Sequence, residues 1–238
     1  MVLIRGDRFE VLPIAMLCAY KGIRLAHIEG GDKSGMVDNK VRYAVTALSD
    51  IHFATNKESR QRLLSCGTDP VLTFNFGSLD CEYAKTIKVA ERKDYVVLCH
   101  HPVGEKENPD VIEKLIKEVY DGEIRYIRSN ADGGTIYGKE EYSAEEYLKL
   151  IGEAKCLVGN SSSFIKEASV FGTPVVLVGE RQKNRLCPEN VKQVPYDSYQ
   201  IKNALKMQLQ ATYKPSGTYY QEGTSLKIAN EIRKFLSQ

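Results

Sequence analysis

Five short apolar runs in this chain end on polar residues able to do chemistry. Asp7 follows Val2-Leu3-Ile4, Glu29 follows His27-Ile28, and His100 and His101 follow Val96-Val97-Leu98. Asn130 and Asp132 follow Tyr126-Ile127, and Asn160, Ser161 and Ser162 follow Leu157-Val158. Any one of these reads equally well as a helix N-cap or a turn carboxylate. Five at predicted strand ends favour a site, because open parallel sheets bind ligands beyond the carboxyl ends of their strands. Asp7, Glu29 and Asp38 fall in the first part of the chain, and carboxylates at neighbouring strand ends can move protons when one is held protonated. Gly159 leads through Asn160 into Ser161, Ser162 and Ser163, a glycine turn into a predicted helix whose free N–H groups and hydroxyls suit a phosphate. Serine caps begin many helices, so that segment does not specify a phosphate alone. The stretch Gly179 to Arg185 brings three cations into a loop, a solvated basic loop unless a pyrophosphate sits there. His100-His101-Pro102 is a poor metal pair, because adjacent strand residues face opposite sides and no third ligand stands at a suitable spacing. One histidine is expected to be packed and His101 to be presented as a proton donor or phosphate partner.

The elements that must position these residues follow from the periodicity. Val2–Ile4, Ile23–Ile28, Ile51–Ala54 and Val71–Phe76 read as strands, alternating with helices over Phe9–Lys21, Asp38–Ser49 and Lys57–Cys66. A second series has strands at Tyr95–Cys99, Ile124–Ile127, Cys156–Gly159, Val175–Val178 and Val191–Val194. Its helices are predicted over Asp110–Val119, Ser143–Ile151, Ser162–Val170, Ser198–Leu209 and Thr224–Leu236. Strands alternating with helices demand parallel sheets covered on their faces. The charged stretch Lys85 to Asp94 reads as a linker between two α/β halves.

Composition removes several alternatives. The chain has 238 residues, 42% hydrophobic and 27% charged, which is globular rather than fibrous or disordered. With 33 basic against 31 acidic residues and no basic cluster, a sequence-independent grip on nucleic acid is not expected. The longest apolar run, Ile14 to Tyr20, is far too short for the roughly 20 residues of a membrane span. The six cysteines form no CxxC pair and the opening residues carry no leader pattern, so reduced thiols and a cytoplasmic location are expected.

Taken in order, the segments Gly6-Asp7-Arg8-Phe9, His27-Ile28-Glu29-Gly30-Gly31, Ser34-Gly35 with Val37-Asp38 and Arg42, His101-Pro102, Ser129-Asn130-Ala131-Asp132, Gly159-Asn160-Ser161-Ser162 and Gly179-Glu180-Arg181-Gln182 carry a resemblance. Together they resemble the UDP-N-acetylglucosamine 2-epimerases, in particular the hydrolysing branch that forms N-acetylmannosamine for sialic-acid-type sugars. The resemblance implies two Rossmann-like α/β lobes of glycosyltransferase-B architecture. It divides the chain into a partial N-terminal lobe, 1–84, a UDP-binding lobe, 94–223, and a helix, 224–238, packing back toward the first lobe. The implied chemistry needs no nicotinamide and no obligatory metal. By the same resemblance Asp7, Glu29 and Asp38 are acid/base carboxylates, and His101 stands near the diphosphate. Ser161 and Ser162 grip phosphate, Glu167 binds ribose, and Arg181 lies in the nucleotide pocket. Arg8, Arg42, Asn130 and Asp132 complete the expected substrate-binding set.

The departures shape further expectations. The family's first lobe opens with on the order of 80 to 90 residues before the segment matching residue 3, so a partial first sheet is expected here. Its uncovered edge would then be met by a second copy or by a partner chain. The alternative to an enzyme is a non-catalytic UDP-sugar-binding homologue that pairs with a separate N-terminal half. Tyr43 and Ala47 stand where the hydrolysing branch usually has histidine and lysine, and Phe164 replaces a small residue, where it is expected to stack on or block the base.

Overall fold

The computed structural model describes residues 1–103, 107–128 and 141–237 of the chain. Its contacts divide it into two units, Met1–Glu82 with Lys183–Leu186 and Thr218–Gln238, and Tyr83–Gln182 with Cys187–Gly217. In chain order the elements are β1 (Val2–Arg5), α1 (Val11–Lys21), β2 (Leu25–Ile28), α2 (Asp38–Leu48), β3 (Ile51–Ala54), α3 (Lys57–Ser65), β4 (Thr73–Asn75) and α4 (Leu79–Thr86). They continue as β5 (Lys93–Cys99), α5 (Pro109–Lys117), β6 (Glu123–Tyr126), α6 (Ala144–Glu153), β7 (Ala154–Gly159), α7 (Glu167–Phe171), β8 (Val175–Val178), β9 (Val191–Val194), α8 (Ser198–Gln208) and α9 (Thr224–Leu236).

The first unit holds a parallel sheet in the order β1-β2-β3-β4. Alternation along its strands feeds two cores. On one face Ile4 and Leu25 pack with Ala15 and Cys18 of α1 and Val41 and Val45 of α2. On the other Ala26, Ile28, Ile51 and Phe53 pack with Ile228 of α9, with Phe74, Ile232 and Phe235 against them. The approach to α9 is pinned to the end of β4: the Ser78 amide donates to the Tyr219 carbonyl at 2.7 Å, and the Thr224 hydroxyl to the Phe76 carbonyl at 2.6 Å. Gly77 lies between them at φ +86°, where a Cβ would stand 2.9 Å from the Tyr219 carbonyl oxygen. Strand β1 is an edge of its sheet, and α1 buries only Ala15 and Cys18 while Ile14, Met16, Leu17 and Tyr20 are exposed. No helix among the described residues is long and apolar enough to cross a membrane.

The second unit is a parallel sheet in the order β6-β5-β7-β8-β9. Val96 and Leu98 of β5 and Cys156 and Val158 of β7 face Ile112 and Ile116 of α5 and Ile201 and Leu205 of α8. The opposite face of β5 carries Tyr95, whose hydroxyl donates to the Leu150 carbonyl of α6 at 2.9 Å. Local chemistry sets the helix starts. Pro109 follows the capping Asn108 at α5, and Ser143 with Glu146 forms a capping box at α6.

Three expectations are corrected here. The predicted strand over Val71–Phe76 begins as a 3-10 turn, Pro70–Leu72, because Asp69 caps the Val71 amide and leaves only Thr73–Asn75 extended. The predicted linker is structured at both ends, by α4 and by β5. Within it Arg92 donates to the carbonyls of Gly152 and Phe171 at 2.6 and 2.8 Å, satisfying the ends of two helices. The predicted helix over Ser162–Val170 is a 3-10 turn, Ser162–Phe164, followed by the short α7.

His27 and His52 face each other in register on β2 and β3, both buried. Burial pushes each ring down to about 4 from its ordinary 6.5. The unfolded chain therefore takes up protons that the folded one refuses, and stability present above pH 6.5 is lost as pH falls from about 6.5 toward 4. The expected loss is on the order of 3 kcal/mol for either ring. Urea midpoints at pH 7 and pH 4 check this, and equal midpoints would contradict it.

Candidate functional site

In the first unit, strand ends deliver the carboxylates. After β1, Gly6 turns at φ +76° and presents Asp7. The Gly6 carbonyl accepts the Nε2–H of His27 at 3.0 Å, and His27 Nδ1 lies 3.2 Å from the Thr46 hydroxyl. A carbonyl only accepts, so this ring carries its proton on Nε2 and takes the hydroxyl hydrogen on Nδ1. The Asp7 carboxylate forms an ion pair with the buried guanidinium of Arg42. Arg42 also donates to the Asp32 carbonyl at 2.8 Å and to Asn39 Oδ1 at 2.7 Å. Burial pushes this guanidinium down to about 9, helped by the neighbouring cations Arg185 and Arg62.

Glu29 follows β2 at φ +66°, a left-handed conformation that strains a residue with a Cβ. Its amide is tied to the Phe53 carbonyl at 2.8 Å, and its Oε1 accepts from Arg5 at 3.2 Å and from the Ser78 hydroxyl at 3.1 Å. Asp38 opens α2 and is half-buried. Arg8 is exposed and pairs with Glu10 at 3.2 Å. The structure thus seats Asp7 and Glu29 on arginines, buries Arg42 among protein partners, and leaves Arg8 at the surface.

In the second unit the polar groups gather where β5, β7 and β8 end. Gly159 sits opposite Cys99 at φ +140°, where a Cβ would lie 1.8 Å from the Cys99 carbonyl oxygen, so no side chain fits. Asn160 is fully buried; its Oδ1 accepts the His101 N–H at 2.7 Å and its Nδ2 donates to the His101 carbonyl at 2.8 Å. The Asn160 carbonyl accepts from Gln182 at 3.0 Å and from Arg181 at 3.3 Å. His101 is half-buried, whereas His100 is fully buried against Glu107 at 3.0 Å. Ser161 and Ser163 share a hydroxyl contact at 2.9 Å, and Ser163 continues it to the Tyr147 hydroxyl. Ser162 opens the 3-10 turn and Glu167 opens α7, both half-buried. The cluster therefore brings together His101, Ser161 and Arg181 around Asn160. Asn130 and Asp132 lie outside the described residues.

Two sequence readings change. Phe164 is wholly buried in the second unit, so its ring fills that core and cannot stack on a base. The basic stretch does not act as one loop: Arg181 belongs to the second unit, while Lys183–Leu186 belongs to the first. There Arg185 forms a buried ion pair with Asp32 at 2.7 Å. Asp32 itself was not singled out by sequence. It accepts from the hydroxyls of Ser59 at 2.6 Å and Thr55 at 3.2 Å, partners 23 to 153 residues away that no local pattern reveals. No cluster of three or more metal-ligating side chains occurs among the described residues.

A sequence profile described as UDP-N-acetylglucosamine 2-epimerase matches residues 1–233. The chain belongs to this epimerase family. Among curated relatives, a UDP-N-acetylglucosamine 2-epimerase of Neisseria meningitidis is 31% identical, the match covering 87% of this chain and 62% of the relative. A GDP/UDP-N,N'-diacetylbacillosamine 2-epimerase (hydrolyzing) of Campylobacter jejuni is 29% identical over 80% of this chain and 59% of the relative. The chain thus spans about six tenths of these relatives. Among solved structures, the S. aureus MnaA–UDP co-structure matches with a TM-score of 0.79 at 19% identity, covering 100% of this chain and 76% of that one. The Methanocaldococcus jannaschii UDP-GlcNAc 2-epimerase, in complex with UDP-GlcNAc and UDP, matches with a TM-score of 0.78 at 17% identity, covering 98% and 75%. The two parallel α/β units are therefore those of the epimerase fold, of glycosyltransferase-B type.

Because Gly159 is in contact with a backbone carbonyl, Gly159→Ala is expected to lose at least about 3 kcal/mol of stability, through the clash and its positive φ together. Chemical denaturation measures it, and a variant as stable as the parent would show that the two strand ends are not in contact.

Proposed function

We propose that this chain carries out hydrolysing 2-epimerisation of a UDP-N-acetylhexosamine, converting UDP-N-acetylglucosamine and water to N-acetylmannosamine and UDP. In this reading a carboxylate of the set Asp7, Glu29 and Asp38 removes the C2 proton. The C1–O bond breaks with its electron pair leaving on UDP, and a C1=C2 double bond forms in 2-acetamidoglucal. Water then adds its oxygen to C1 and a proton to the opposite face of C2. A C2 hydrogen is a poor acid, so the base must be held in place and the departing diphosphate stabilised in the same step. Asp7 and Glu29, each held by an arginine at a strand end, meet the first need, and this observation carries the proposal. His101, Ser161, Ser162 and Arg181 would answer the second, with Glu167 on the ribose and Arg8, Arg42, Asn130 and Asp132 contributing to substrate binding. Arg42 would act chiefly by fixing Asp7, given its burial. The hydrolysing outcome is supported by the Campylobacter relative, whose name carries that reaction. The open edge of β1 and the apolar outer side of α1 support pairing with a second copy or a partner chain.

A second reading is a UDP-sugar-binding chain without turnover. Proton NMR with UDP-N-acetylglucosamine in deuterium oxide separates the two. N-acetylmannosamine carrying deuterium at C2, with free UDP, is the expected result. Broadened UDP signals without product would favour the second reading, and neither product nor binding would defeat both. Asp7→Asn and Glu29→Gln are expected to abolish turnover while UDP affinity stays nearly intact. Arg181→Ala is expected to weaken UDP binding by about 1–3 kcal/mol, the range for a charge-assisted hydrogen bond. Calorimetry reads that loss, and unchanged affinity would remove Arg181 from the pocket.

A further inference from the structure

We propose that Asn160 is a positioning residue that fixes the backbone of His101 and gathers Arg181 beside it, a role that rests on the UDP-sugar reading above. Strand β5 ends at Cys99, so His101 has no place in the sheet ladder. Pro102 follows it, offers no N–H to continue a ladder, and restricts His101 to an extended backbone. Asn160 supplies what the ladder lacks by bonding both the N–H and the carbonyl of His101, at 2.7 and 2.8 Å. Only a short amide offers an acceptor and a donor side by side; aspartate has acceptors alone, and glutamine is longer by a methylene. Asn160 is itself held, its N–H donating to the Cys99 carbonyl at 3.1 Å opposite the side-chain-free Gly159. Its own carbonyl then receives Arg181 at 3.3 Å and Gln182 at 3.0 Å. One buried side chain thus sets the direction in which the His101 ring leaves the strand end. Its main chain sets the starting point of the arginine. A positioned group displaced by a fraction of an ångström loses much of its effect, so the clamp is expected to be visible in binding and not only in stability.

The test uses the whole chain and two readouts. The first is hydrogen exchange at the His101 amide, with Val96–Leu98 as internal controls. Asn160→Ala is expected to raise His101 exchange by about tenfold or more while the controls stay unchanged. The second is UDP affinity by calorimetry in a double-mutant cycle. Asn160→Asp, nearly isosteric, keeps the acceptor for the His101 N–H but turns a carboxylate oxygen on its carbonyl. It is expected to weaken UDP binding by about tenfold in the parent and by less than about twofold in a His101→Ala background. An equal loss in both backgrounds, or no loss in the parent, would overturn the positioning role. A parent that does not bind UDP would defeat the proposed function instead. The exchange experiment then decides the clamp alone, and unchanged His101 exchange in Asn160→Ala would overturn it. Should Asn160→Ala fail to fold, Asn160→Leu, of similar size but with no polar atom, carries the exchange comparison, with faster His101 exchange expected and parent-like exchange overturning the clamp.

Discussion

The approach of β7 to β5 at their carboxyl ends is closer than any side chain permits, and the polar cluster of the second unit depends on it. With Gly159 against the Cys99 carbonyl, the next residue along β7 is carried into the space just past β5. Asn160 can then reach His101, and the turn after it brings Ser161 and Ser163 into mutual contact. A wider separation would leave the buried amide of Asn160 without its two partners on His101, at a cost of about 1–3 kcal/mol per group. One absent methyl group is therefore linked to the placement of Asn160, Ser161 and Ser163.

The first unit is organised around a different constraint, the accommodation of buried charge. Arg42 and Arg185 are both largely withdrawn from solvent, and their counter-ions Asp7 and Asp32 sit within the same unit. Such pairs repay their desolvation only when the remaining donors are also satisfied. Arg42 meets this condition through Asp32 and Asn39, and Asp32 through Ser59 and Thr55. The result is a network in which Asp7 cannot shift without disturbing the helix that carries Arg42. Asp7 is thereby given rigidity by a residue that has little surface of its own to offer a ligand.

The strand ends were legible in sequence because apolar runs of strand length stop at glycine or at a polar residue, and because parallel sheets bind at those ends. Asp7, Glu29, His101 and Asn160 all lie where that pattern puts them. Of the two adjacent histidines one was expected to be packed, and His100 is buried while His101 is half-buried. What stayed hidden was long-range. Asp32 and Arg185 are 153 positions apart, and nothing in either neighbourhood marks them as partners. Phe164 stands where the resemblance has a small residue beside the base, but the 3-10 turn aims its ring into the core, a direction no sequence pattern gives. The helix after Ser161 was overextended for the same reason: serine-rich starts fit a 3-10 turn as well as an α-helix.

Helix α9 belongs to the unit that contains the chain's first strands. Its Ile228 closes the core formed by Ala26, Ile28, Ile51 and Phe53, and Tyr219, just before it, is tied to the Leu186 carbonyl at 2.7 Å. The first unit is therefore assembled from segments at both ends of the sequence and a short piece near residue 185. During synthesis the second unit, made mostly of one continuous stretch, has its whole sheet available well before α9 leaves the ribosome. The strands of the first unit thus precede the whole second sheet along the chain, and the helix that closes their core follows it.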